Sequence, residues 1–326
     1  MKEERIHIFY REEMSLAEEF FAAYYCKTPF KPGRFLDFLR QYKLQRHFAL
    51  HKSWAPFEES DFLIAHEEEY VRSFFQGEHP LCSTSGLPWS PELGEVTRYT
   101  NASLYEAIRY AVDNPNIITL CPAGGFHRAL PACGADYSVF SGQVIAALKI
   151  FRETGKRGAW IDLGGEFGAS LEFSREAFPE LNEAAPEDCH LNPPGVHGAY
   201  LRVLGENLEV LGENIRQDKV DYIVFCHGAD SHIWDEYGFQ CNTQEWLNAA
   251  RAVYAWFQAL EEETGKSIPL ALSLFDGYRS DDFNTILSLH TADLVCCLNE
   301  ICGVKQEFDP AVSQEAIPIM LQLRRS

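Results

Sequence analysis

The chain has 326 residues, with 48 acidic against 28 basic side chains, a formal net charge of −20 and a hydrophobic fraction of 46%. This balance is typical of a globular protein and excludes a long disordered or collagen-like chain. A large negative surplus repels nucleic acid and anionic membranes, so we expect neither as a partner.

Nothing in the sequence predicts export or membrane insertion. No apolar run approaches the roughly 20 residues that span a bilayer, and the opening segment, MKEERIHIFYREE, lacks an apolar signal core. The ten cysteines are dispersed without a CxxC pair, and several lie inside apolar runs. We therefore expect a cytoplasmic protein whose cysteines are buried, reduced thiols.

Apolar runs and helical periodicities alternate along the chain. Six short runs rich in β-branched residues predict strands at 5–9, 117–121, 159–163, 221–226, 269–275 and 293–297. Apolar residues spaced three to four apart predict helices over 141–153, 199–216 and 242–264. Such alternation indicates an α/β fold in which a mainly parallel sheet is sandwiched by helices. We expect a single domain, 1–326, with long loops at 76–95 and 179–198 around a pocket.

In an open α/β sheet, ligands bind at the carboxyl ends of the strands. Four predicted strands end in loops that carry polar side chains beside glycines: Cys121–Ala129, Asp162–Ala169, His227–Glu236 and Asp276–Arg279. Together these loops predict a polar pocket that contains His, Arg, Asp, Glu and Tyr side chains.

The order of these motifs carries a family resemblance. The four that matter most are Gly124-Gly125-Phe126-His127, Asp162-x3-Glu166-Phe167-Gly168, Gly228-Ala229-Asp230-x-His232-x2-Asp235 and Gly277-Tyr278. With Pro32-x-Arg34 and His66-x3-Tyr70-Val71 upstream, the chain resembles the histone deacetylase superfamily. The likeness is to the bacterial deacetylase-like and acetylpolyamine amidohydrolase type, which has the arginase/deacetylase fold.

The resemblance implies roles for individual residues. It makes His127, Asp162 and Tyr278 the matches of catalytic positions: a polarising histidine, its aspartate partner and a tyrosine that stabilises the oxyanion. His127 and Asp162 can equally form a hydrogen-bonded core pair. The matched pocket positions are Gly125, Phe126, Arg128, Gly164, Glu166 and Phe167. We expect His66 to be structural, and His232 and Asp235 to brace their loop.

The sequence departs from the family at the zinc centre. The three metal-ligand positions are occupied by Gly164, Glu166 and Asp230, and only the last keeps its type. The second histidine of the family's tandem pair is Arg128, and the aspartate that would support it is Ala169. Because glycine has no ligating side chain, we do not expect a conventional zinc site. Glu166 and Asp230 would form at most a weak site for a divalent cation such as Mg²⁺ or Mn²⁺, and the alternative is no cofactor.

Three accounts of function follow. In the first, Arg128 pairs with Glu166 or Asp230, replaces the charge of the metal, and leaves a non-hydrolytic binder of an acylated amine or acyl-lysine-type ligand. In the second, Glu166 and Asp230 join His127 or His232 in a remodelled metal centre that still hydrolyses amides. In the third, the protein is a scaffold subunit whose pocket is filled, which predicts a closed cavity around Arg128 and Glu166. The sequence does not specify an oligomeric state.

Overall fold

The structure, a computed structural model, describes residues 2–3, 5–165, 167–192, 195, 198–238 and 240–314. Seven strands form its sheet: β1 (Ile6–Phe9), β2 (Phe48–His51), β3 (Ile118–Cys121), β4 (Gly158–Asp162), β5 (His190–Leu191), β6 (Tyr222–Cys226) and β7 (Leu270–Ser273). In space the order is β2-β1-β3-β7-β6-β4-β5, and every pairing is parallel.

Ten α-helices lie in the described ranges: α1 (Lys31–Gln41), α2 (Glu59–Phe62), α3 (Glu68–Gln76), α4 (Pro91–Asp113), α5 (Gly142–Thr154), α6 (Ala169–Ser174), α7 (Leu181–Ala184), α8 (Tyr200–Arg216), α9 (Thr243–Thr264) and α10 (Phe283–Glu300). None of these helices is long and apolar enough to cross a membrane. The predicted α/β architecture is confirmed, because helices flank a parallel sheet whose central strands are wholly buried.

The predicted helices begin and end where the sequence signals them. Asn242 caps α9: its side chain accepts a hydrogen bond of 3.0 Å from the backbone N–H of Glu245, whose carboxylate accepts one of 2.9 Å in return. Gly265 ends the same helix in the left-handed region, with φ of 65°. Gly155 ends α5 in that region too, with φ of 69°.

One strand prediction is wrong. The run at 293–297 lies inside α10, an 18-residue helix that is buried over most of its length. A short apolar run cannot be distinguished from one part of a buried helix by periodicity alone. The loop predicted at 76–95 contains the first residues of α4 from Pro91, and the loop predicted at 179–198 contains α7 and β5.

The order of the strands positions the site. β3, β7, β6 and β4 are consecutive neighbours in the sheet, and each is followed by one of the polar loops. Because all four strands run parallel, their carboxyl ends meet at one edge of the sheet. All ten cysteines are free thiols, and every one except Cys133 is buried, as predicted.

Candidate functional site

The centre of the site is a histidine held between two carboxylates. His127 follows β3 and is buried. Its Nδ1 hydrogen-bonds to Asp162 Oδ2 at 2.8 Å, at the end of β4. On the other side of the ring, Nε2 lies 2.8 Å from Oδ2 of Asp276, which follows β7. This second contact is an ion pair rather than an aligned hydrogen bond. Both ring nitrogens therefore face anionic oxygens.

Two opposing effects set the protonation of His127. Burial alone would lower its pKa, but Asp162 and Asp276 together raise the pKa well above the ordinary histidine value. The ring is thus an imidazolium, with a proton on each nitrogen and no lone pair to accept another. In this state His127 cannot act as a general base.

Asp276 is the site residue that the sequence reasoning missed. Burial raises its pKa, but His127, the Lys31 ammonium and a hydrogen bond to the Tyr278 side chain outweigh that effect, and the pKa falls below the ordinary value. Lys31 is itself buried and donates to the backbone carbonyls of Leu274 and Phe275. The available signal was position, since Asp276 directly precedes the matched Gly277-Tyr278 pair at a strand end.

Asp230 lies beside this network in a different state. Its Oδ2 accepts a hydrogen bond of 2.7 Å from the backbone N–H of Gly165. Its Oδ1 is buried and has no hydrogen-bond partner within the described ranges. Burial raises the pKa of Asp230 well above its ordinary value, and the charges of Asp276 and Asp235 add to that. Both effects favour the protonated form of this carboxyl group.

Gly164 leaves little room among these groups. Its backbone N–H donates to Asp162 Oδ1 at 3.1 Å. A β-carbon at Gly164 would lie 3.2 Å from Asp162 Oδ1, 3.2 Å from His127 Cε1 and 3.5 Å from Asp230 Oδ2. We call the volume enclosed by His127, Asp162, Asp230 and Asp276 the chamber. His127 contacts Asp162 and Asp276, and all four side chains are at most 1% exposed.

The three matched metal-ligand positions differ in what they offer an ion. Gly164 offers no side chain, Glu166 lies outside the described residues, and Asp230 has a buried Oδ1 without a hydrogen-bond partner in the described ranges. Among the residues that the structure describes, no group of three His, Cys, Asp or Glu side chains is arranged to hold a metal ion. The metal role of Glu166 and Asp230 stays a prediction.

Among the described residues the ion-pair partner of Arg128 is Asp136, and the prediction that Arg128 pairs with Glu166 or Asp230 stays a prediction. The guanidinium bonds to Asp136 Oδ2 through Nε at 3.0 Å and Nη2 at 2.7 Å, and Nη1 bonds to the carbonyl of Phe167. The Arg128 side chain is 22% exposed, whereas Asp230 is buried beneath Gly165. The described positive charges beside the chamber are those of His127 and Lys31. The alternative partner, Glu166, lies outside the described residues.

Asp235 joins two tyrosines to the network. Its Oδ2 accepts the backbone N–H of Tyr278 at 2.7 Å, and its Oδ1 accepts that of Tyr237 at 3.1 Å. Burial raises the pKa of Asp235 to about 7. The side chain thus braces the loops after β6 and β7, in agreement with the role expected for it.

The other matched residues support the loops. His66 Nδ1 lies 2.9 Å from the carbonyl of Leu130, and its Nε2 accepts the backbone N–H of Ser141 at 2.8 Å. His232 Nε2 lies 2.9 Å from Thr243 Oγ1. Gly125 has a φ of 80°, a backbone conformation that favours glycine.

Two matched aromatic residues differ in their exposure. Phe126 is buried, and its ring centroid lies 6.2 Å from that of Phe275. Phe167 is 50% exposed. The matched positions therefore do not form one continuous wall.

Above the chamber is an open cavity of about 220 Å³. We call it the tyrosine cavity; it is lined by Thr84, Ser85, Gly86, Asp136, Tyr137, Tyr237 and Tyr278. The ring centroids of Tyr137 and Tyr237 lie 5.4 and 5.0 Å from that of Tyr278. The hydroxyls of Tyr137 and Tyr237 are 3.5 Å apart. Of the matched catalytic and metal-binding residues that the structure describes, Tyr278 alone lines this cavity, and the predicted loop at 76–95 supplies one wall.

The comparisons with known proteins bear on the fold. No family model matches the sequence, and no curated protein matches it either. The structure is similar to the crystal structure of the HD domain of HDA15, a histone deacetylase domain, with a TM-score of 0.68. The alignment covers 94% of this chain and 90% of that one, at 13% sequence identity. At this identity the likeness shows the fold alone, and the predicted arginase/deacetylase-like fold is confirmed.

Proposed function

We propose that this protein is a deacetylase-like binding protein that holds a small amine-derived ligand without hydrolysing it. The resemblance implies an acylated amine or an acyl-lysine-type compound as that ligand. The observation that carries the proposal is the contact of His127 with carboxylates on both sides, 2.8 Å from each.

Amide hydrolysis needs a group that takes a proton from the attacking water. His127 matches the family's polarising histidine, and its contacts with Asp162 and Asp276 raise its pKa well above the ordinary value, so it does not supply this base. The second histidine of the family's tandem pair is replaced by Arg128, which cannot act as a base near pH 7. Tyr278, the matched oxyanion donor, bonds to the same carboxylate. The chain's own Asp276 thus engages both residues that would otherwise contact a reacting amide.

Binding requires an accessible space, and the tyrosine cavity supplies one. Ligand pockets are commonly about 300 to 1,000 Å³. A cavity of about 220 Å³ is suited to a small group rather than to a whole drug-sized molecule. The ligand would lie against Tyr278, with Asp276 behind it.

The test combines metal content, turnover and binding. Protein purified without chelator is analysed for metal, assayed for acetyl-lysine amide hydrolysis with added Zn²⁺, Mn²⁺ or Mg²⁺, and titrated with the same amide by calorimetry. We expect binding without turnover under every metal condition. Turnover that is abolished by Asp230→Ala would overturn the proposal and establish a remodelled hydrolase.

One observation favours a second candidate, a scaffold subunit, because the four side chains of the chamber are buried from solvent. This candidate predicts that no small amine-derived ligand binds. A titration in which acylated amines and organic cations both give no heat and no chemical-shift change would favour it over the binder.

A further inference from the structure

The tyrosine cavity has an aromatic wall that continues to the protein surface. Tyr25, which is 43% exposed, lies 6.4 Å from Tyr137 between ring centroids, and Tyr137 and Tyr237 both pack against Tyr278. Burial raises the pKa of Tyr25 and of Tyr137, so both phenols stay neutral at physiological pH. Neutral tyrosine rings have electron-rich faces that attract cations.

A carboxylate lies at the edge of this wall. Glu236 directly precedes Tyr237, and its side chain accepts hydrogen bonds from the Tyr25 hydroxyl and from the backbone N–H and hydroxyl of Ser280. These donors are all neutral. Within the described ranges no Lys, Arg or His side chain forms an ion pair with Glu236, so its negative charge is not compensated by a protein cation.

The other described groups that line the cavity do not cancel this charge. Asp136 is paired with Arg128 at 2.7 Å, which leaves that pair close to neutral. The opposite wall consists of Thr84, Ser85 and Gly86, which carry no charge. The field in the cavity therefore favours a positively charged group.

The aromatic faces of the wall distinguish between kinds of cation. A primary ammonium is compact and strongly hydrated, and contact with a ring face removes water that the ring does not replace with hydrogen-bond acceptors. A methylated ammonium needs no acceptor, and its methyl groups can lie directly on the rings.

From these observations we infer that the tyrosine cavity binds a methylated ammonium group, so that the ligand of this protein is an organic cation. The inference rests on the proposed function, because it names the chemical class of the amine-derived ligand. It also assigns the recognition to the ring faces of Tyr137 and Tyr237 and to the charge of Glu236.

The experiment compares a cation with a neutral molecule of the same shape. The full chain is titrated by calorimetry with choline, with its uncharged isostere 3,3-dimethylbutan-1-ol, and with the neutral acylated amine N-butylacetamide. We expect choline to bind at least about tenfold more tightly than the isostere, as cation–π contacts and one nearby carboxylate predict.

Substitutions test separately the ring of Tyr237, the hydroxyl of Tyr237 and the charge of Glu236. Tyr237→Phe keeps the ring and should change choline affinity less than about threefold, whereas Tyr237→Leu should weaken it about tenfold or more. Glu236→Gln should also weaken it about tenfold. Glu307→Gln makes the same change in net charge at an exposed position and should have no effect. Circular dichroism confirms that each variant is folded.

The outcomes distinguish this inference from the proposed function. If the isostere binds as tightly as choline, or if choline does not bind at millimolar concentration, the inference is wrong. If N-butylacetamide alone binds, the inference fails and the binding function stands. If N-butylacetamide is cleaved, the non-hydrolytic function fails, and the choline result still decides the inference.

Discussion

The chamber and the tyrosine cavity are adjacent, yet they differ in almost every physical property. The chamber is closed and charged, with His127 held between Asp162 and Asp276. The cavity is open, and it is lined by tyrosine rings, by the small residues Thr84, Ser85 and Gly86, and by Asp136. Asp276 belongs to the chamber, and Tyr278, two residues later, lines the cavity. The buried charges are therefore confined to the chamber, while the cavity provides the accessible surface.

The largest loss of stability should come from removing the negative charge of Asp276 in the chamber. Asp276→Asn leaves the Nε2 side of His127 and the Lys31 ammonium without their shared anion. We expect a loss of about 3 kcal/mol in the free energy of unfolding, the usual cost of breaking a buried ion pair. Urea unfolding at neutral pH measures it. A loss below about 1 kcal/mol would mean that the chamber is not held by these charges.

The second effect depends on pH and concerns Asp235, which joins the two regions. Its carboxyl keeps a proton up to a pH of about 7 in the folded state, against 3.8 ordinarily. Between pH 3.8 and about 7 the folded state binds more protons than the unfolded state. The contribution of Asp235 to the free energy of unfolding is therefore complete below pH 3.8 and is lost as the pH rises to about 7.

Asp235→Asn should remove that dependence. From pH 5 to pH 7, the wild type should lose about 2 kcal/mol of unfolding free energy relative to the variant. Unfolding curves at both pH values measure the difference, and Asp309→Asn, at an exposed position, serves as the control. Parallel pH profiles for wild type and Asp235→Asn would contradict the assignment.

A smaller effect tests how tightly the chamber is packed. Gly164→Ala would place a β-carbon 3.2 Å from both Asp162 Oδ1 and His127 Cε1. Because these buried groups are fixed by their own contacts, we expect a loss of about 1 to 2 kcal/mol. Gly205→Ala, in α8 with nothing near the added carbon, should gain a few tenths up to about 1 kcal/mol. A neutral Gly164→Ala variant would indicate a chamber with free space.

The smallest effect should come from the rim of the cavity. Asp136→Asn repeats the Asp276 substitution in a pair whose side chains are 22% and 51% exposed. Exposed ion pairs contribute little, so we expect a loss below about 1 kcal/mol by the same urea assay. Asparagine tolerates the positive φ of 42° at this position. Equal losses of unfolding free energy for Asp136→Asn and Asp276→Asn would contradict the expected difference between the cavity and the chamber.

The sequence predicted the strands and helices of this molecule better than the contacts at its candidate site. Near-continuous apolar runs and capped periodic segments predicted five of the strands and three helices, since burial and capping are local patterns. The run at 293–297 failed because a buried helix shows no polar face. The order of the strand-end loops placed His127, Asp162 and Tyr278 at one edge of the sheet, and they are there.

The sequence could not predict which side chains contact one another at the candidate site. Arg128 was expected to pair with Glu166 or Asp230. Among the described residues it bonds to Asp136, eight residues away on an exposed turn, and Glu166 lies outside those residues. The partner of the buried histidine, Asp276, lies far along the chain, and no spacing rule connects the two. The tyrosines of the cavity, at 137 and 237, were likewise invisible as a group until the fold brought them together.

The strand order also constrains how the protein folds. β3 pairs directly with β7, so residues 118–121 lie beside residues 270–273. The chain must close a loop of about 150 residues before His127 meets Asp276, and such non-local pairings slow folding. During synthesis, the amino-terminal half cannot complete its central layer until the ribosome has delivered the last strand. The contact of His127 with Asp276 forms only in that late step. Until then the β-structure is exposed and incompletely paired, so chaperone binding and aggregation can compete with folding.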